Sequence, residues 1–165
     1  MVKWFKLLPF LLAGAVLASA EPARNVKFPS LVDKGLTGGP IPDLAGKVVL
    51  VDFCASWCAP CRSSFPAYNR LQDEFGPKGF LIVAVSIDTD PSAYASMIKK
   101  LKPSFVVLND AQHKLVAEVQ APGMPTSYLI DRTGKVAAVR IGFHSGSTED
   151  ELRQSITQLL AEPAG

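Results

Sequence analysis

The stretch VDFCASWCAPCR, residues 51 to 62, holds all three cysteines of a 165-residue chain. Cys58 and Cys61 form a C-x-x-C pair, and Cys54 stands four positions ahead of it. Three chemistries fit such a set: dithiol–disulfide exchange, a three-thiol device, or half of a metal site.

What surrounds the pair decides among them. Val48-Val49-Leu50-Val51-Asp52-Phe53 is an apolar run broken by one charge, the pattern of a strand buried on both faces of a sheet. Downstream, Phe65, Tyr68, Leu71 and Phe75 recur at helical spacing and stop at Gly76-Pro77, with Pro66 inside the helix as an expected kink. The cysteines therefore fall where a buried strand turns into a helix. Unpaired N–H groups and the helix dipole favour an anion at such an N-terminus. Cys58 is the expected nucleophile, its pKa lowered from about 8.5 into a range of roughly 3.5 to 7.5. Cys61, within the first turn, is close enough to close a Cys58–Cys61 disulfide and to resolve a mixed disulfide with substrate.

Asp52 must be buried or nearly so, and burial raises a carboxyl pKa above its reference value of about 3.9. A carboxyl poised nearer neutral pH can take the proton from Cys61 as that thiol attacks; the plainer reading is a hydrogen-bonded structural carboxyl. Strand alternation places Asp52 and Cys54 on one face, Val51 and Phe53 on the other. Cys54 has two readings, an inert buried thiol or a third reactive thiol that captures Cys58 or Cys61. The second requires Cα atoms under about 7 Å apart. No metal is expected, because four zinc ligands are needed and the two histidines, His113 and His144, are single and far apart.

Around this centre, residues 80–86 read as a second buried strand. Asp90-Pro91-Ser92 reads as a cap followed by helix to about Leu101, and residues 105–108 as a short strand. Residues 126–131 and 135–141 flank Arg132-Thr133-Gly134 as a β-hairpin, and Thr148 opens a last helix with Leu152, Ile156, Leu159 and Leu160 on its apolar face. The predicted fold is α/β, a mixed central sheet with helices on both faces. Residues 21–46, rich in Pro and Gly, read as a lead-in with a short strand near Val26-Lys27-Phe28 at the edge of the fold. Residues 47–165 form the main domain.

Lys3 and Lys6, an apolar run from Leu7 to Leu17 and Ala18-Ser19-Ala20 read as a cleavable export signal over residues 1–20, cut near Ala20-Glu21. That run is too short for a membrane-spanning helix, which needs about 20 residues. Without Lys3 and Lys6 the 17 basic residues fall to 15, equal to the 15 acidic ones. A neutral chain offers no basic patch for nucleic acid. Export, to the periplasm or beyond, places the thiols where disulfides persist.

Val51-Asp52-Phe53-x-Ala55-x-Trp57-Cys58-x-Pro60-Cys61 resembles the active-site stretch of thioredoxin-like proteins, and Gly123-Met124-Pro125-Thr126 resembles their cis-proline loop. The helix and strand between residues 90 and 108 look like the insertion of the exported TlpA/ResA-like subgroup. The resemblance implies a thiol–disulfide oxidoreductase with Asp52 on the family's buried aspartate and protein thiols or disulfides as substrates. Trp57, Pro60, Met124 and Pro125 would contact substrate, whose backbone pairs beside the proline as an added strand. It also implies a membrane-bound thiol electron donor, and no cofactor beyond the redox-active disulfide; a monomer is expected. Electron flow is expected to run toward substrate disulfides, making the protein a reductant. The alternative is a copper-delivery module using Cys58, Cys61 and one histidine, against which the narrow cysteine spacing counts. Two departures stand out: Cys54 replaces a usual aromatic residue, and Ser64 a glutamate common among cytochrome-maturation members.

Overall fold

A computed structural model describes residues 24–163, so the expected signal and its Ala20-Glu21 junction lie outside the described residues. In chain order the elements are β1 (Val48–Cys54), α1 (Ala59–Phe75), β2 (Phe80–Ser86), α2 (Pro91–Leu101), β3 (Val106–Asn109), α3 (Lys114–Glu118), β4 (Thr126–Ile130), β5 (Val136–Ile141) and α4 (Ser147–Ala161). They build a five-stranded sheet in the order β3-β2-β1-β4-β5. β1, β2 and β3 run parallel, while β4 is antiparallel to β1 and to β5. The unbroken apolar run of β1 belongs at the centre of this sheet, and all seven of its residues are buried.

The two faces of β1 open into two cores, as its alternation requires. Val48, Leu50 and Cys54 pack with Phe65, Tyr68 and Leu71 of α1, Met97 of α2, and Leu152 and Ile156 of α4. Val49, Val51 and Phe53 pack with Tyr128, Ile130, Leu115 of α3 and Leu31. Helices do cover both faces, but unequally: three long ones on the first, a five-residue one on the second. The remainder of the second face is closed by the lead-in.

That arrangement corrects the reading of the lead-in as an edge feature. Lys27 bridges to Lys135 beside β5, while Thr37 bridges to Asn109 at the end of β3, so the segment crosses from one sheet edge to the other. Leu31, midway, is 2 % exposed. Periodicity could not reveal this, because the segment uses isolated bridges instead of a strand. Gly38 makes its exit possible: at φ +95°, a Cβ there would collide with the Tyr94 hydroxyl, which donates to the Val107 carbonyl at 2.9 Å.

Other differences are local. α3 carried no periodic signal at its length; Asp110 builds it, its carboxyl accepting from the N–H groups of Lys114 and Val116, both at 2.9 Å. β3 begins one residue later than expected, at Val106, where its pairing with Val83 of β2 starts; Phe105 ahead of it packs with its ring centroid 5.3 Å from that of Phe65. α4 starts at Ser147, and Thr148 instead accepts from the His144 N–H at 3.0 Å. α2 has the expected cap, Asp90 accepting from the Ser92 N–H at 2.8 Å. The hairpin turn is held by Asp131, which accepts from the N–H groups of Thr133 and Lys135, with Gly134 at φ +83°.

Because the lead-in seals a core, Leu31→Ala should lower the unfolding free energy by about 2–4 kcal/mol in urea denaturation of the oxidised protein. A loss below about 0.5 kcal/mol, typical of surface changes, would mean that the segment is not part of the folding unit.

Candidate active site

β1 delivers its last residue, Cys54, directly beneath a four-residue turn that ends at the helix. Within the turn the Cys58 N–H donates to the Ala55 carbonyl at 3.1 Å. Cys58 is the N-cap of α1 in extended conformation, and its sulfur accepts from the Cys61 N–H at 3.2 Å. Serine or aspartate oxygen normally fills this position; here a sulfur does, so a backbone donor that would stabilise a thiolate is already aimed at it. Cys58 and Cys61 are joined in a disulfide, with Cα atoms 5.3 Å apart. Cys58 is 5 % exposed and Cys61 fully buried, so the outer sulfur is the accessible one.

The loop bearing these residues is clamped by an acidic residue from the neighbouring strand. Asp88, two residues beyond β2, is buried and accepts from the Ser56 N–H at 3.0 Å, the Ser56 hydroxyl at 2.8 Å and the Ser86 hydroxyl at 2.7 Å. From the other side Arg62 donates to the Ser56 carbonyl at 2.6 Å. Trp57, next in the chain, is thereby held outward with 67 % of its surface exposed. Pro60 is exposed in the first turn of α1, where its fixed φ suits the helix start.

Across the site, the Met124–Pro125 peptide bond is cis. Pro125 is buried and Met124 half-buried, and the Pro125 carbonyl accepts from the Gly142 N–H at 2.8 Å. Thr126 secures the loop from inside, its hydroxyl donating to the Gly123 carbonyl at 2.7 Å.

Asp52, two residues before Cys54 on β1, is fully buried against Tyr68 of α1, the helix that carries Cys61. Its Oδ1 accepts from the Tyr68 hydroxyl at 3.0 Å, and Oδ2 has no partner. Its register partners are Ala84 on β2 and Ser127 on β4, so neither neighbouring strand brings a cation opposite it. Burial pushes its pKa up to about 8, the Tyr68 hydrogen bond pulling modestly the other way. The carboxyl is therefore protonated over most of the physiological range. Cys54 shares this face, buried and outside any disulfide. Burial first, then the nearby carboxyls of Asp52 and Asp88, hold its thiol well above its ordinary value. It stands as a neutral thiol, which fits the inert reading.

The expected residues thus separate into a sulfur pair, a buried carboxyl on β1, and a rim of Trp57, Pro60 and Met124-Pro125. The histidines stay apart. His113 is exposed, with Nε2 2.8 Å from the Ile87 carbonyl, and His144 is exposed ahead of α4. Among the described residues no group of three or more His, Cys, Asp or Glu side chains is placed to hold a metal ion. Sequence reasoning passed over Tyr68, Asp88, Ser86 and Ser56. Asp88 had a usable signal, an acidic residue just past the carboxyl end of a parallel strand, where sites in such sheets gather. Tyr68 had one too, the single hydroxyl within an otherwise apolar helical stripe.

A dithiol capping a helix on this sheet defines the class, a thioredoxin-like thiol–disulfide oxidoreductase of the TlpA/ResA-like type. The chain belongs to the Redoxin family, whose model matches residues 20–156. It is 33 % identical over 131 residues to a thiol-disulfide oxidoreductase ResA of Bacillus cereus, covering 78 % of this chain and 76 % of that one. To the ResA of Bacillus subtilis (strain 168) it is 30 % identical over 138 residues, covering 82 % and 77 %. Among solved structures, a Chlorobium tepidum chain described as a candidate thiol:disulfide interchange protein DsbE superposes with a TM-score of 0.78. That chain is 34 % identical, and the match covers 86 % of this chain and all of the other.

Two outcomes follow from the burial of these groups. In the unfolded chain Asp52 titrates near its reference value, whereas in the folded protein it keeps its proton to about pH 8. The stability it contributes is full below about pH 4 and falls as pH rises toward 8, by up to about 1.4 kcal/mol per pH unit. Asp52→Asn removes that dependence. The stability of the variant relative to wild type, from denaturant titrations at successive pH values, should therefore climb between pH 4 and 8 and level off above; a flat difference would contradict the raised carboxyl pKa. Cys54 should react with a maleimide in the oxidised protein only after denaturation, so stoichiometric labelling under native conditions would contradict its burial.

Proposed function

We propose that the protein is an exported reductant of protein disulfides. In the reduced protein, Cys58 attacks a substrate disulfide to give a mixed disulfide and releases one substrate thiolate. Cys61 then loses its proton to Asp52 and attacks Cys58, which restores the Cys58–Cys61 bond and frees the second substrate thiolate. Trp57, Pro60 and Met124-Pro125 form the rim against which the substrate chain docks, its backbone adding beside Met124. A membrane-bound dithiol returns electrons to the pair, and the protein acts as a monomer outside the cytoplasm. No cofactor takes part.

The observation that carries this reading is an outer sulfur that caps the N-terminus of α1 and is bonded to a fully buried inner sulfur on the same helix, which also carries Tyr68, the partner of Asp52. Attack needs a thiolate at the surface, and resolution needs a base inside. The ResA relatives, named as thiol-disulfide oxidoreductases, support the same chemistry.

Cys58→Ser should reduce insulin disulfides no faster than the uncatalysed reaction with dithiothreitol, and Cys61→Ser should accumulate a mixed disulfide with substrate. Full turnover by Cys58→Ser would contradict the assignment. The direction of flow is read from the equilibrium with glutathione, followed by Trp57 fluorescence. A potential near about −270 mV supports a reductant, and one near about −120 mV an oxidant.

A further inference from the structure

Beside Cys61 lies a cluster of buried polar side chains that the dithiol chemistry above uses only through one carboxyl. Tyr68 is 1 % exposed, Ser64 fully buried and Ser127 4 % exposed, in a layer otherwise filled by Phe65, Phe105 and Phe143. The Tyr68 ring is wedged edge-on between Phe105 and Phe143, with centroids 6.1 and 5.8 Å away, which fixes the direction of its hydroxyl. The hydroxyl donates to Asp52 Oδ1 at 3.0 Å, with the Ser64 and Ser127 side chains beside it. Ser64 in turn donates to the Cys61 carbonyl at 2.8 Å. The cluster thus ties the carboxyl, the phenol and the backbone of the inner cysteine together.

This geometry treats the two carboxyl oxygens differently. Oδ1 is occupied by a donor; Oδ2 is buried and receives no hydrogen bond from a protein group. A buried oxygen without a partner costs free energy, and a proton on that oxygen removes the charge that burial penalises most.

We infer that Tyr68 is a positioning residue for the proton transfer: by holding Oδ1, it leaves Oδ2 as the atom that takes the proton from Cys61, and it sets the pH at which that transfer is available. The inference rests on the proposed role of Asp52 as base. In the step, the Cys61 S–H bond breaks and an O–H bond forms on Oδ2. The Cys61 thiolate attacks Cys58 Sγ, the Cys58–substrate S–S bond breaks, and the substrate thiolate leaves to be protonated by water. Two electrons pass from the dithiol to the substrate, so atoms and charge balance without another reactant.

The groups that face the carboxyl are few. Cys54 shares its strand and feels its charge and that of Asp88 beyond β2, while α1 supplies Tyr68 and packs Cys58 and Cys61 into the same core as Cys54. β4 offers Ser127, and α4 presents Leu152 and Ile156 to this core. Tyr68 is thus the one neighbour whose hydrogen bond favours the ionised carboxylate, and burial opposes it. Removing the hydroxyl must move the titration of Asp52 upward.

The test compares wild type with Tyr68→Phe, which keeps the ring packing, and with 3-fluorotyrosine at position 68, whose more acidic phenol is a stronger donor. Single-turnover release of a mixed disulfide is followed against pH, and the Asp52 carboxylic-acid band is titrated in parallel by infrared difference spectroscopy. The alkaline rise in rate and the infrared midpoint should both move up by at least about half a pH unit in Tyr68→Phe and down in the fluorotyrosine protein. Unshifted midpoints in both would overturn the role of Tyr68. Asp52→Asn separates the two claims: if the alkaline rise survives it unchanged, Asp52 is not the base and the underlying reading fails. If the rise vanishes in Asp52→Asn yet stays put in the Tyr68 proteins, only the present inference fails. Should Tyr68→Phe not fold, the fluorotyrosine shift decides alone.

Discussion

The structure depends on one junction: a strand buried on both faces that must become a helix within four residues. The first N–H groups of the new helix have no partner within it. The chain meets this demand with sulfur. The Cys61 N–H finds Cys58 Sγ at 3.2 Å, and the interaction that terminates the helix is the one that favours charge on the outer cysteine. Asp88 and Arg62 brace the turn from both sides through Ser56, so the cap geometry is held by the sheet and by the helix together. Stability and reactivity arise here from the same few hydrogen bonds.

The second consequence concerns the proton. With β1 central and α1, α2 and α4 stacked over its first face, anything on that face is far from solvent. Asp52 sits there opposite Ala84 and Ser127, and Tyr68 is its one hydrogen-bond donor. A buried carboxylate with so little compensation lowers its cost by staying protonated, so a carboxyl that burdens the fold above neutral pH is also one that can exchange a proton at neutral pH. The outer sulfur is favoured as an anion and the inner site holds a proton, two opposite electrostatic settings within one helical turn. Burial and an oriented helix end suffice to make them.

Much of this was legible in the residues. The apolar run with one acid gave β1 and the burial of Asp52, the helical stripe ending at Gly76-Pro77 gave α1, and their junction gave the order of Cys58 and Cys61. Alternation alone put Cys54 beside Asp52. What escaped is what periodicity does not encode. The lead-in binds through two isolated bridges and one leucine, so it showed no pattern, and α3 is built by the Asp110 side chain and not by a repeat. Tyr68 was counted as one more apolar position in the stripe, because a tyrosine contributes the same spacing signal as a phenylalanine; only the fold shows where its hydroxyl points. Asp88 lies far from the cysteines in sequence and reaches them through strand pairing. The resemblance to thioredoxin-like proteins supplied the cis-proline loop, which spacing and composition could not.

The central claim is that the start of α1 favours the Cys58 thiolate and lowers the pKa of that thiol below that of a free cysteine. It is tested most directly by titrating thiolate absorbance near 240 nm in the fully reduced protein, with Cys58→Ser as the assignment control. A first ionisation with a midpoint within roughly 3.5 to 7.5, absent from Cys58→Ser, is the result predicted. A first midpoint at about 8.5 or above, or one that survives the loss of Cys58, would contradict the account.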